Sequence, residues 1–308
     1  MSEQQIVELL ILMLKGATPL IFAALGELIV EKSGVLNLGV EGMMLMGAVA
    51  GFIGASEFGF VAGFIFAIVA GVLMALLFGV LTLSLVSNQV ATGLALTIFG
   101  IGLSAFVGIP YESSKLEGSV GLIKIPLLAD IPLLGKLLFQ HDPLLYLSLI
   151  LCAVIAWFLY RTRGGLILRA VGESHDAAHA LGYSVIKIRY LSVAFGGAMA
   201  GLGGAYLSLV LTPGWEQDMT AQRGWIALAL VVFATWRPAR VLVGAWIFGG
   251  LTILNLWAQS QGVGLPQQLL TALPFLATIV VLVLISRDAA MIRLNAPASL
   301  GKPFHPTS

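Results

Sequence analysis

Charged residues are scarce in this chain. Only 10% of its 308 residues are Asp, Glu, Lys or Arg, and the formal net charge is +1. No run of Lys and Arg forms a nucleic-acid patch, so nucleic acid is not expected as a partner. The single cysteine, Cys152, excludes an internal disulfide, and its apolar surroundings favour a packed or lipid-facing thiol.

Signatures of catalysis are also missing. The sequence has no GxxxxGK[ST] segment, so we expect no nucleotide hydrolysis by a P-loop in this chain. His175 and His179 are four residues apart, but Asp176 is the only further ligand nearby, so a solvated surface pair is favoured over a zinc site. We therefore predict no catalytic residue, no metal site and no cofactor in this chain, which is not expected to be an enzyme.

Apolar residues dominate instead. Hydrophobic residues make up 59% of the chain, and a mean hydropathy of +1.00 places it among polytopic membrane proteins. Apolar segments occur at 8–30, 34–54, 59–86, 90–110, 143–160, 190–211, 225–236, 241–258 and 268–286. We predict one all-α transmembrane domain over residues 1–308, with roughly eight to ten spans.

Some of these segments are expected to be irregular. The segment 225–236 is too short for a span unless it is a half-helix or continues into its neighbour. The glycine-rich segments 34–54 and 241–258 could be broken or re-entrant, which is tolerated where protein or a water-filled cavity covers the backbone. Gly197 and Gly201 form a small-xxx-small pair that predicts close helix packing.

Lys and Arg near the span ends indicate the orientation. They gather in the loop 161–189, in the turn 237–240 and in the C-terminal tail, which we therefore place on the cytoplasmic side. The loop 111–142 then lies outside, and its prolines predict an irregular cap. The side on which the N-terminus lies stays open.

Polar residues inside apolar segments are the candidates for a substrate pathway, because they are costly in lipid. Asn37 and Glu41 are four residues apart and can share one helix face. Thr92 stands at a span mouth, and Asn255 lies within an apolar stretch. For Glu41, a purely structural hydrogen bond is an equal alternative. Trp215 and Trp225 could stack on a base or sugar, or could simply lie at the membrane interface.

Three blocks of the sequence resemble a known family. GELIVEKSGVLNLGVEGMMLMGA is similar to the signature of the ABC-transporter inner-membrane permeases of the branched-chain amino acid, ribose and nucleoside group. RAVGESHDAAHALG, at 169–182, resembles their cytoplasmic coupling segment. MTAQRGWIALALVVFATWRPARVLVGAWIFGG resembles the nucleoside-type members most closely, whereas the tail after Arg287 matches nothing in the family.

The resemblance implies the permease subunit of an importer in the bacterial inner (cytoplasmic) membrane, moving nucleosides or related solutes. It implies ABC ATPase subunits that bind ATP–Mg, a second and related permease in a heterodimer, an extracytoplasmic substrate-binding protein and membrane lipid as partners. The segment 172–182 would form a coupling helix on the ATPase, with Arg169 and Arg189 available for ion pairs. The residues expected at this contact are Arg169, Gly172, Glu173, Ala177, Ala178 and Gly182.

Other functions stay open. A permease for simple sugars or branched-chain amino acids fits the same group. An ion-coupled secondary transporter would need intramembrane carboxylates, for which Glu41 is the only strong candidate. A membrane enzyme that acts on lipid is disfavoured, since the sequence groups no nucleophile with a base.

Overall fold

A computed structural model of the chain describes residues 3–126, 129, 131, 134–260, 272–273, 276–277, 279–280, 283 and 295–305. This part is mostly helical and has only two short strands, which confirms the predicted all-α class. Its main helices are α1 Glu3–Lys32, α2 Val40–Phe58, α3 Phe60–Gly79, α4 Gln89–Gly108, α5 Leu134–Leu138, α6 Pro143–Arg161, α7 Arg163–Glu173, α8 His175–Ala180, α9 Val185–Tyr206, α10 Arg223–Phe233 and α11 Pro238–Ser260. Wider π-helical turns extend α3 through Val80–Ser84 and α9 through Leu207–Leu211, and a 3-10 turn, Ile109–Tyr111, follows α4.

Six helices in the described ranges are long and apolar enough to cross a membrane, so the predicted multi-pass fold is confirmed. They are Glu3–Lys32, Phe60–Ser84, Gln89–Tyr111, Pro143–Arg161, Val185–Leu211 and Pro238–Gln259. Helix α2 adds 19 residues and α10 only 11. The predicted span at 268–286 falls largely outside the described residues, and the total of roughly eight to ten spans stays a prediction.

Helix α9 is the centre of the bundle and packs on α1, α2 and α3. Small residues allow this contact. A Cβ atom added at Gly204 would overlap the carbonyl oxygen of Met44, and one added at Gly201 would overlap that of Ala67. Close backbone approach of this kind is what small residues permit between membrane helices. The predicted packing role of the glycines in α9 is therefore confirmed.

The loop 111–142 is partly ordered by short elements. Strand β1, Ile123–Lys124, pairs antiparallel with β2, Gln140–His141, and α5 lies between them. Asp142 ends the loop by accepting a hydrogen bond from the Leu145 N–H at 3.0 Å, an N-cap for α6. The same carboxylate accepts from the Tyr206 hydroxyl at 2.9 Å, so it ties the start of α6 to α9.

Substituting Gly204 by Ala tests this packing. The added methyl group meets backbone that cannot move aside, so we expect the free energy of unfolding to fall by about 1–3 kcal/mol. Gly102→Ala is the control, because a Cβ there would meet nothing within 4 Å. Thermal unfolding in nanodiscs measures both, and equal midpoints for the two variants would refute the packing.

Candidate functional site

The chain leaves the helix between α1 and α2. Helix α1 ends in a Schellman turn, in which Val35 N–H donates to Val30 C=O, Gly34 N–H donates to Glu31 C=O, and Gly34 has a φ of +87°. Residues 33–39 then run without helical structure, and α2 begins at Val40. The predicted break within 34–54 therefore lies at its start. The segment 241–258, for which a break was also predicted, instead lies within the continuous helix α11.

Asn37 belongs to this break and not to a helix. Its Oδ1 accepts a hydrogen bond from the Gly39 N–H at 2.9 Å, and its Nδ2 donates to the Met43 sulfur at 3.6 Å. A side-chain turn of this type replaces helical backbone bonds. The prediction that Asn37 and Glu41 share one helix face is therefore wrong, although both side chains are buried at the start of α2.

Two carboxylates of α1 accept hydrogen bonds from residues that lie outside the helices. Glu27 Oε1 accepts from the Asn37 N–H at 3.3 Å, and Glu31 accepts from the indole N–H of Trp236. Both glutamates are buried, and Glu27 Oε2 has no hydrogen-bond partner among the described residues. The sequence signal for them is the same as for Glu41, a carboxylate within an apolar run.

Glu41 caps the start of α10 from a distant part of the chain. Its carboxylate accepts from the Thr220 hydroxyl, from the Gln222 N–H at 3.0 Å and from the Gly224 N–H. The first N–H groups of a helix have no partner within the helix, and a negative charge is favourable there. The structure thus shows the hydrogen-bonded alternative for Glu41, and its role in a substrate pathway stays a prediction.

The two helix starts approach each other closely. A Cβ atom at Gly224 would lie 2.5 Å from the Glu41 Cα, so this position requires glycine. Ala221 and Gln222, which precede α10, have positive φ values of 45° and 64°. Such values are uncommon for residues with a side chain and persist only where surrounding contacts fix them. The Glu41 bonds are those contacts.

Helix α10 has the length of a half-helix. Its 11 residues measure about 16 Å, about half of a ~30 Å bilayer core. Its C-terminal end reaches Trp236, which bonds Glu31 at the end of α1, and there Lys32 packs on Gly172 of α7. The start of α10 therefore lies about halfway across the bundle. Of the two alternatives left open for the short segment 225–236, the structure shows the half-helix, which ends before α11 begins.

A polar segment leads to this point from the opposite face. Trp215 is buried against Gly108 at the end of α4, and the following residues 216–222 descend to Glu41. Most of this segment is exposed on the surface of the chain, including Gln222. Its outer end borders a cavity of about 670 Å³. The buried Trp215 ring is not available for stacking on a solute, and Trp225 is only half-buried.

The other predicted pathway residues lie at two places. Thr92 bonds the Ser87 hydroxyl at 2.8 Å beside a groove between α3 and α4, and its neighbour Gly93 packs on Leu38. Asn255 accepts from Gln259 at 2.8 Å towards the other end of α11. The structure thus groups Asn37, Glu41 and Thr92 around the start of α2 and leaves Asn255 apart.

Two further polar side chains bond to the backbone just before α2, and neither was among the predicted pathway residues. Gln89 accepts from the Leu36 N–H at 2.8 Å, and Thr97 donates to the Leu38 carbonyl at 2.9 Å. Both lie on α4 and are buried. In the sequence, both could have been found as polar residues within an apolar helix.

The loop 161–189 forms two helices, α7 and α8, in place of the single coupling helix expected over 172–182. The helix breaks at Ser174, because its hydroxyl caps α8 by accepting from the Ala177 N–H at 3.3 Å. Helix α8 ends in a second Schellman turn, with Gly182 at a φ of +87°.

The predicted coupling residues divide between surface and interior. Glu173, Ala177 and Gly182 are exposed, whereas Gly172 and Ala178 are buried. A Cβ atom at Gly172 would overlap the Lys32 carbonyl oxygen, so this glycine serves packing within the chain. The half-buried Arg169 places its guanidinium 5.4 Å from the centre of the Tyr160 ring.

Arg189 and His175 are also internal. The Arg189 guanidinium donates to the carbonyls of Ser33 and Lys302, both at 3.2 Å, and to His175 Nδ1 at 3.3 Å. The expectation that Arg189 pairs with a partner protein is therefore wrong, and so is the placement of His175 in a solvated surface pair. Within the described residues no group of three His, Cys, Asp or Glu side chains could hold a metal ion.

Comparisons with known proteins agree with this architecture. Residues 9–284 match the family model described as branched-chain amino acid transport system / permease component. TsgC13 of Haloferax volcanii, named provisionally as a glucose ABC transporter permease protein, is 41% identical, with 94% of this chain and 95% of that protein covered. The nucleoside ABC transporter permease protein NupC of Lactococcus lactis is 32% identical, with 88% and 90% covered.

Two further similarities extend the comparison. The guanosine ABC transporter permease protein NupQ of Bacillus subtilis is 31% identical, with 94% of this chain and 93% of that protein covered. A solved ABC transporter of a provisional metal-chelate type, in an inward-facing conformation, aligns with a TM-score of 0.52 over 88% of this chain and 85% of that chain. At 17% identity it shows the fold alone.

Substituting Glu41 by Ala tests the cap on α10. The substitution leaves the three hydrogen-bond donors of Thr220, Gln222 and Gly224 without their acceptor. We therefore expect the free energy of unfolding to fall by about 2–5 kcal/mol. Glu57→Ala is the matched control, because Glu57 is exposed in the last turn of the same helix. Chemical denaturation in detergent micelles measures the free energy of unfolding of both variants. A loss of stability in Glu41→Ala that is no larger than the loss in Glu57→Ala would contradict the capping role.

The environment of His175 predicts a pH dependence. Arg189 can only donate, so His175 Nδ1 accepts and Nε2 carries the proton towards Asp176, 3.5 Å away. Burial, the charge of Arg189 and that of Lys302 lower the pKa of His175, whereas Asp176 raises it. The neutral ring is favoured, so its stabilising effect is fully present above the ordinary pKa of about 6.5 and is lost as the pH falls below that value through the lowered pKa of the folded chain.

We therefore expect the contact between His175 and the Phe304 ring of the C-terminal tail to loosen as the pH falls through the lowered pKa of His175, which lies below about 6.5. A nitroxide label is attached at position 305, as His305→Cys in a Cys152→Ser background. Loosening of the contact appears as faster motion of the label in electron paramagnetic resonance spectra. His175→Gln, which cannot take up the proton, should flatten the profile, whereas His179→Gln should leave it. If the pH dependence of the label's motion is the same in His175→Gln as in the wild type, protonation of His175 is not its cause.

Proposed function

This chain belongs to the family of branched-chain amino acid transport system permease components, and we propose that it carries nucleosides through an importer driven by a separate ATPase. It is an ABC importer permease subunit and a multi-pass membrane protein. The proposal concerns the solute, the route and the partners. It is supported by the permeases NupC and NupQ, which are named for nucleoside and guanosine transport.

The route is proposed from the polar segment 216–222. This segment is largely exposed on the chain and ends at Gln222, about halfway down the bundle. Exposed polar backbone at that depth is tolerated only where protein or water covers it. We propose that a second permease subunit faces this segment and that the solute passes between the two chains, beside the starts of α2 and α10. This one observation carries the proposal.

The ATPase contact is proposed at α7 and α8. Glu173, Ala177 and Gly182 are exposed there, and Leu181 is 77% exposed at the end of α8. A large apolar side chain beside small residues, on a face that the bundle does not cover, suits a protein partner. Since the chain has no P-loop, ATP–Mg would bind to that partner. An extracytoplasmic binding protein would deliver the solute to the opposite face.

A sugar is the second candidate solute. TsgC13, at 41% identity, is named for glucose, and a nucleoside itself contains a sugar ring. Uptake of labelled guanosine and labelled glucose into proteoliposomes distinguishes the two, with the ATPase and binding protein of the same operon added. We expect ATP-dependent uptake of guanosine. Uptake of glucose alone would replace the proposed solute, and uptake without any ATPase would favour an ion-coupled transporter.

The ATPase contact makes a separate prediction. Leu181→Asp places a charge in the proposed apolar contact, so we expect the affinity for the ATPase subunit to fall by about tenfold or more. Leu122→Asp is the control, because Leu122 is 53% exposed in the loop 111–142 on the other face. Co-purification and titration with the ATPase measure the effect. Equal affinity for the two variants would move the contact away from α8.

A further inference from the structure

We infer that the C-terminal segment 295–304, here called the tail, positions α8 and thereby sets the surface that the ATPase contacts. This inference rests on the proposed function for the identity of the partner. It concerns a part of the chain that the family match, which ends at residue 284, does not cover. The tail is described at its full length and has three buried residues, Pro297, Ser299 and Phe304.

The tail bonds to the end of α1. Lys32 Nζ donates to the Asn295 carbonyl at 2.6 Å, and the Gly301 N–H donates to the Gly34 carbonyl at 3.1 Å. Gly34 is the turn residue from which the segment 33–39 starts towards α2. The tail is therefore fixed at the point where the chain leaves α1.

The tail also bonds to α7 and α9. The Ser299 N–H donates to the Gly172 carbonyl at 2.9 Å, and its hydroxyl donates to the Glu173 carbonyl at 3.2 Å. These carbonyls lie in the last turn of α7, where a helix has unpaired acceptors. Arg189 of α9 donates to the Lys302 carbonyl at 3.2 Å. One short segment thus joins three helices at their coupling-side ends.

Phe304 is the contact between the tail and α8. Its ring stands edge-on to the rings of His175 and His179, with both centroid distances at 5.3 Å. It also belongs to a buried apolar cluster with Val171, Ala178 and Val185. The Phe304 ring therefore packs beneath α8, whereas Ala177 and Leu181 remain exposed.

A helix as short as α8 depends on such contacts for its position. It has six residues, and isolated helices of that length are not stable in water. The break at Ser174 uncouples it from α7, so side-chain packing must fix its orientation. Edge-on aromatic contacts have a preferred geometry, which suits this purpose. Phe304 is therefore a positioning residue for the docking surface, and Gly34 connects the same tail to the segment that leads to Glu41.

Phe304→Ala in the full-length chain tests the inference. In nanodiscs we expect amide hydrogen exchange in α8 to accelerate by about tenfold or more, while α9 stays unchanged. His305→Ala is the matched control, one residue further and exposed. Phe304→Leu, which keeps an apolar side chain, should restore much of the protection. Equal exchange in α8 for Phe304→Ala and wild type would overturn the packing role.

A second readout separates positioning from mere folding. With the ATPase and binding protein reconstituted, we expect Phe304→Ala to move fewer solute molecules per ATP hydrolysed, by about threefold or more, and to bind the ATPase more weakly. An unchanged ratio and an unchanged affinity, despite faster exchange in α8, would refute the positioning role. If the wild-type chain binds no ATPase, the proposed function fails and the inference falls with it, whatever the exchange data show.

Discussion

The carboxylate of Glu41 at the start of α10 is the interaction on which the rest of this structure depends. A helix that begins inside a bilayer exposes N–H groups that neither lipid nor the helix can satisfy. Glu41 satisfies two of them and also the Thr220 hydroxyl. To place the carboxylate there, α2 must begin at the same depth, so the chain must return from the end of α1 through the segment 33–39. Gly224 is required because the two backbones meet at this point.

The same helix is held at its other end by a second carboxylate. Glu31 accepts from Trp236 just beyond α10, and Glu27 holds the segment 33–39 through the Asn37 N–H. The half-helix is therefore fixed at both ends by side chains from α1 and α2. The tail contacts α8 and also bonds Gly34, at the start of that segment. A displacement of α8 can therefore be transmitted through the tail and the segment 33–39 to the start of α2. This is the route by which the proposed ATPase contact reaches the proposed solute path.

Much of the fold could be predicted from the sequence, because membrane helices carry their signal locally. Run length identified the six apolar spans of the described residues and showed that 225–236 is too short for a span, and small residues identified the packing of α9. The site could be predicted only in part. Glu41 was recognisable as a carboxylate in an apolar run, but its partners lie about 180 residues away and no local pattern reveals them. The burial of Gly172 and Arg189 escaped prediction for the same reason, since both depend on contacts with α1 and the tail.

The depth and water access of position 222 test whether α10 is a capped half-helix beside a polar path. A nitroxide at Gln222→Cys, in a Cys152→Ser background, is compared with one at Val69→Cys on the exposed face of α3. In nanodiscs that hold the assembled transporter, we expect the label at 222 to lie about 15 Å below the outer surface and yet to be reached by a water-soluble nickel chelate. The label at 69 should be reached by oxygen instead. A label at 222 that lies at the membrane surface, or one in a lipid environment, would contradict a capped half-helix beside a polar path.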